Sequence, residues 1–132
     1  WFGCDVGKMY HPKLGIMDIQ LYDLPLIFNT DFELDKCGRL EYGDSMMTHA
    51  MLLTAVDITD DKSTKWRVEN SWGEKRGDKG FFLMTDEWFD EYLFEIVIDK
   101  KYLPKEVLDI YETEPEVLPP WDPMGALARN RI

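Results

Sequence analysis

Hydrophobic and polar positions alternate with a period of two over residues 66–70. Trp66, Val68 and Asn70 fall on one face and Arg67 and Glu69 on the other, as in a half-buried strand. Residues 49–56 run apolar on both faces, the pattern of a strand in the middle of a buried sheet. The polar segment 59–64 between them predicts a turn that brings the two strands side by side. Phe81-Phe-Leu-Met84 is a short apolar run of strand length, predicted to pair antiparallel with 66–70. The segment 94–99 alternates again and predicts another strand. Residues 1–6 do the same up to Gly7; their pattern reads as a strand already under way, which predicts residues upstream of Trp1.

Helix signals are fewer. Thr85 is a candidate N-cap, and Asp86 and Glu87 stand in the first turn, where the helix dipole favours acids. They predict a short helix over 86–92. Pro104 sits where proline is tolerated and predicts a helix over 105–112. Residues 14–28 carry apolar positions at several helical spacings, weakened by Gly15 and Pro25. His11-Pro12 reads as a turn in a surface loop, and 31–42 as a connection of low regularity. Beyond residue 112 Pro115, Pro119, Pro120 and Pro123 crowd together, which excludes a sheet interior or a regular helix. Two segments follow: a β-rich portion, 1–112, and an extended arm, 113–132. Val117, Leu118 and Trp121 are apolar anchors that a solvated tail has no need of, so the arm is expected to dock on protein.

Composition narrows the function classes. With 132 residues, 45% of them hydrophobic, the chain supports one small core. A formal net charge of -11 argues against neutralising phosphates and makes a nucleic-acid partner unexpected. It favours solubility or recognition of a cationic group such as a free amino terminus. No window approaches a membrane span. His, Cys, Asp and Glu do not cluster at ligand spacing, so neither metal nor cofactor is expected. The glycine-punctuated loop 73–80 lacks the Gly-Lys-Ser/Thr ending and following helix of a phosphate loop. Cys4 and Cys37 fit a reduced compartment at least as well as one disulfide. Cys4 lies inside a strand pattern and reads as a small buried hydrophobe rather than a nucleophile. No motif frames Cys37.

The strongest constellation is His49 with Asn70. An amide buried at a strand end is costly without hydrogen-bond partners, and an imidazole on the adjacent strand supplies one. Taken alone, such a histidine is more often a satisfied core residue than a catalyst.

The flanking residues decide between the two readings. Thr-His49-Ala and Trp66-Arg-Val-Glu-Asn70-Ser-Trp72-Gly resemble the histidine and asparagine segments of papain-like cysteine proteases. The segments Trp1-Phe-Gly-Cys-Asp-Val-Gly7, Met46-Met-Thr-His-Ala-Met51, Met84-Thr-Asp-Glu-Trp-Phe89 and Trp121-Asp-Pro-Met-Gly-Ala-Leu-Ala128 extend the resemblance to the bleomycin-hydrolase branch across nearly the whole chain. The resemblance implies an α+β, papain-like fold, of which this chain is the C-terminal, mostly antiparallel, barrel-like β half with short helices. It implies a cytosolic, hexameric cysteine aminopeptidase acting on peptides or small amides, including bleomycin. His49 would be the general base, Asn70 its orienter, and Trp72 a cover over their hydrogen bond. Gly125, Ala126, Leu127 and Ala128 would end an arm lying in the cleft, its terminal carboxylate holding the substrate's amino group. Arg129-Asn-Arg-Ile132 departs from that pattern. The family's nucleophilic cysteine and oxyanion glutamine have no counterpart here, so the chain alone is expected to be inactive. The rival expectation is a non-catalytic assembly module descended from such a protease.

Overall fold

The computed structural model describes residues 1–32 and 34–127. Among these residues seven strands form one sheet: β1 (Phe2–Cys4), β2 (Tyr10–His11), β3 (Ile16–Met17), β4 (His49–Thr59), β5 (Lys62–Glu69), β6 (Phe81–Thr85) and β7 (Leu93–Ile96). Their order is β2-β3-β6-β5-β4-β1-β7. Every pairing is antiparallel except β3 with β6. Among the described residues four short helices, α1 (Leu24–Phe28), α2 (Lys36–Glu41), α3 (Asp86–Tyr92) and α4 (Lys105–Tyr111), complete an α+β architecture.

The core is one cluster in which Phe2, Met51, Val68, Phe82 and Met84 from the central strands meet Trp88 of α3. Burying each such side chain contributes roughly 1.5–3 kcal/mol. Trp88 is wholly buried, and its indole N–H donates to the Lys8 carbonyl at 2.8 Å, so its one polar atom adds no unmet desolvation.

The hairpin of β4 and β5 is longer than the hydrophobic pattern indicates. Asp60 and Asp61 both take left-handed φ, 50° and 60°, so the connection is a two-residue turn with positive φ at both centres, whose twist suits a hairpin. The expected turn over 59–64 is therefore mostly strand. Only the base of the hairpin is buried: Met51 is fully enclosed, while Val56 and Ile58 are exposed. The outer rungs rest on backbone pairing and on the Asp57 carboxylate, which accepts from the Thr64 hydroxyl at 3.0 Å and pairs with Lys65 at 3.3 Å.

Helix α3 runs over the expected residues, and the Thr85 hydroxyl accepts from the Trp88 N–H at 3.3 Å. The segment expected to be irregular contains α2. The Asp35 carboxylate caps it by accepting from Gly38 N–H at 2.7 Å, and its cations reach α3. Lys36 Nζ donates to the carbonyls of Asp90 and Leu93 at 2.7 and 2.6 Å, and Arg39 pairs with Glu91. Cations at a helix C-terminus meet unpaired carbonyls and the negative dipole end. These tertiary contacts hold a six-residue helix that local propensity does not specify.

In the arm a 3₁₀ turn, Pro123–Leu127, lies against α2. Val117, Leu118 and Trp121, expected as docking anchors, are 91%, 46% and 82% exposed; the arm's contact is made by the turn beyond them.

Candidate active site

His49 opens β4, and Asn70 follows the last residue of β5. Register places Leu52 opposite Glu69, so the two side chains meet at the base of the hairpin. The Asn70 backbone N–H donates to the Gly80 carbonyl at 3.0 Å, which fixes the residue as the chain leaves the ladder. Across the hairpin His49 Nε2 lies 3.0 Å from Asn70 Oδ1.

The tautomer follows from the partner. A carbonyl oxygen only accepts, so Nε2 carries the proton and Nδ1 is the nitrogen left with a lone pair. This bond survives protonation of the ring, since Nε2–H is a donor in both charge states. An amide turned the other way would oppose its N–H to Nε2–H whenever the imidazole became cationic. Asn70 is 8% exposed, and its Nδ2 is buried with no partner among the described residues.

Trp72 stacks on His49 with ring centroids 4.5 Å apart and 28° between planes. The Arg76 guanidinium lies 5.3 Å from the Trp72 centroid, within cation–π range. The imidazole thus has an oriented nitrogen on one side and an aromatic lid on a face. Beside it a hollow of about 260 Å³ is lined by Gly3, Met47, Glu95 and Val97, among others. Gly3 makes room for this wall, because a Cβ there would collide with Met47 Sδ.

Cys4 is not an activated thiol. Cys4 faces His49 in the β1–β4 register, but it is fully buried. Burial first, and the adjacent Asp5 charge second, push its thiol up to about 12, the behaviour of an inert structural cysteine. Cys37 is exposed on α2, where its thiol reaches Glu41 Oε1 at 3.9 Å. Among the described residues no three His, Cys, Asp or Glu groups gather as metal ligands. No helix among them is long and apolar enough to cross a membrane.

Of the arm residues singled out in the sequence, Gly125 and Leu127 stand in the 3₁₀ turn against α2, as does the backbone of Ala126. Ala128 lies outside the described residues. One buried group had escaped sequence reasoning. Asp5, 6% exposed, accepts hydrogen bonds from the segment that precedes His49. The available signal was an acid set between Cys4 and Val6 in an otherwise apolar strand.

Residues 1–125 match the model of the Peptidase C1-like family. Bleomycin hydrolase of Homo sapiens is 57% identical over 132 residues, covering 97% of this chain and 29% of the relative. Aminopeptidase C of Lactococcus lactis subsp. cremoris is 52% identical over 129 residues, with 97% and 30% covered. Among solved structures, PepW of Lactobacillus rhamnosis HN001 superposes with a TM-score of 0.88 at 56% identity, over 96% of this chain and 29% of that one. The chain therefore shares the fold of the corresponding part of that structure and spans under a third of the length of the relatives it matches.

Proposed function

The chain belongs to the Peptidase C1-like family, and from that premise we propose that it is the C-terminal portion of a cysteine aminopeptidase, carrying the general base and its orienter. The observation that supports this reading best is the 3.0 Å bond between His49 Nε2 and Asn70 Oδ1, which leaves Nδ1 free to take a proton.

In this reading the nucleophilic thiol comes from a part of the polypeptide outside these residues. His49 Nδ1 takes the thiol proton and holds it as imidazolium while the thiolate adds to the scissile carbonyl. As the tetrahedral adduct collapses, the same nitrogen returns the proton to the leaving amine, which departs neutral and leaves a thioester. Water then attacks the thioester, its proton passing to Nδ1 and on to the departing thiolate. Asn70 keeps the ring in one plane throughout. Trp72 shields the hydrogen bond from water, and a bond in a drier setting is stronger. The substrate is a peptide or small amide with a free amino terminus, the arm lies in the cleft, and the working particle is a cytosolic homo-hexamer without metal or cofactor.

Changing His49→Ala in the full-length protein tests the assignment. Activity on aminoacyl fluorophores is expected to fall ~10³-fold or more with assembly intact, because members of a catalytic unit act together. Unchanged turnover would sink the base reading and leave an assembly module as the better account.

A further inference from the structure

We propose that Asp5 is a positioning residue for His49, holding the segment before β4 so that the imidazole starts its strand in reach of Asn70; the inference rests on the reading of His49 as the base. Asp5 Oδ2 accepts from the Ser45 hydroxyl at 2.9 Å and from the Met46 N–H at 3.4 Å, and Oδ1 accepts from the Thr48 hydroxyl at 3.3 Å. Asp5 and Ser45 are 6% and 1% exposed. The Asp5 backbone is fixed as well, its N–H donating to the Tyr92 carbonyl at 3.0 Å, and next to it the Cys4 carbonyl accepts from the Thr48 N–H at 2.9 Å. One carboxylate thus gathers three donors from residues 45–48 and hands the chain directly to His49.

The choice of residue is informative. A buried carboxylate is costly to desolvate unless its lone pairs are met, and among the described residues Asp5 has no ion-pair partner. Apolar packing would close the sheet at less cost. What the carboxylate adds is direction: hydrogen bonds fix the segment's angle and height, whereas packing fixes only its distance. A misplacement of about 1 Å in a catalytic group lowers rate far more than it lowers stability.

The experiment uses the full-length protein with turnover normalised to titrated active sites. Asp5→Asn keeps size and loses charge and one acceptor. Its kcat is expected to fall about tenfold with KM within about twofold, the split of an interaction made for the transition state rather than for substrate binding. If Asp5 and Asn70 act through one imidazole, Asp5→Asn added to Asn70→Ala lowers kcat by less than ~3-fold more, whereas independent structural effects multiply. Normal kcat, or effects that multiply, overturns the proposal. Should Asp5→Asn not fold, Ser45→Ala removes a single donor, with about a threefold loss and the same failure to multiply expected; an unchanged kcat there also overturns it. Loss of activity in His49→Ala beside normal Asp5→Asn and Ser45→Ala removes the Asp5 assignment alone. An active His49→Ala removes the base reading and this one with it.

Discussion

At the scale of single residues, environment separates groups of the same type. Both cysteines are free, yet burial lifts the Cys4 thiol to about 12 while Cys37 sits in solvent. A raised thiol pKa means the neutral form persists as pH rises, so at pH 8 Cys4 stays a thiol. Iodoacetamide on the native chain is therefore expected to alkylate Cys37 and spare Cys4, read by peptide mass spectrometry; rapid labelling of Cys4 at pH 8 would contradict its enclosure. The meeting of His49 with Asn70 and Trp72 was legible because the residues around them are distinctive. The contacts of Asp5 were not, because an acid just past a short strand carries no motif and its three donors lie some forty positions away. The same holds for Arg76, whose contact with Trp72 arises only once the 73–80 loop has closed.

Elements were legible where local chemistry and tertiary need agree. Helix α3 has its cap hydroxyl, its first-turn acids and a buried face, and its bounds follow from the sequence alone. The two-residue strands β2 and β3 are shorter than any period can register. Strand β7 ends at Ile96, short of the expected 99, and the chain passes to a 3₁₀ turn at Lys100–Tyr102. The β4–β5 turn shows how backbone geometry can override side-chain pattern. Aspartate tolerates positive φ, but glycine does so without a Cβ penalty, and the turn type prefers it at the second centre. Asp61→Gly is expected to raise the urea midpoint of the chain by the equivalent of about 0.5 kcal/mol. Asp61→Val, β-branched at φ 60°, is expected to lower it by roughly 1–2 kcal/mol. Equal midpoints for the two variants would show that this turn does not limit the hairpin.

For the whole molecule, the α+β class came from the family resemblance, whereas the antiparallel pairing of 66–70 with 81–84 could be read from periodicity. The closing of the sheet by β1 between β4 and β7 could not, because it joins segments far apart in sequence. That closure matters for chemistry, since it puts Cys4 opposite His49 in register and thereby raises the question of whether this thiol could serve a base so near. Three features answer it. The thiol is enclosed, its pKa is raised rather than lowered, and the hydrogen bond His49 makes is to Asn70. Activated cysteines have the opposite profile, exposed and depressed. We therefore predict that the 132-residue chain, purified alone and folded, releases no fluorophore from aminoacyl substrates above the blank at neutral pH. In the proposed reading the nucleophile lies outside these residues and the site itself is ordered, so the His49 and Asn70 geometry should persist, detectable by NMR as an imidazole ring N–H slowed in exchange by its bond to the amide. Release abolished by Cys4→Ser would mean that the strand-borne thiol can reach a carbonyl after all, and the proposal that the nucleophile lies outside these residues would fail.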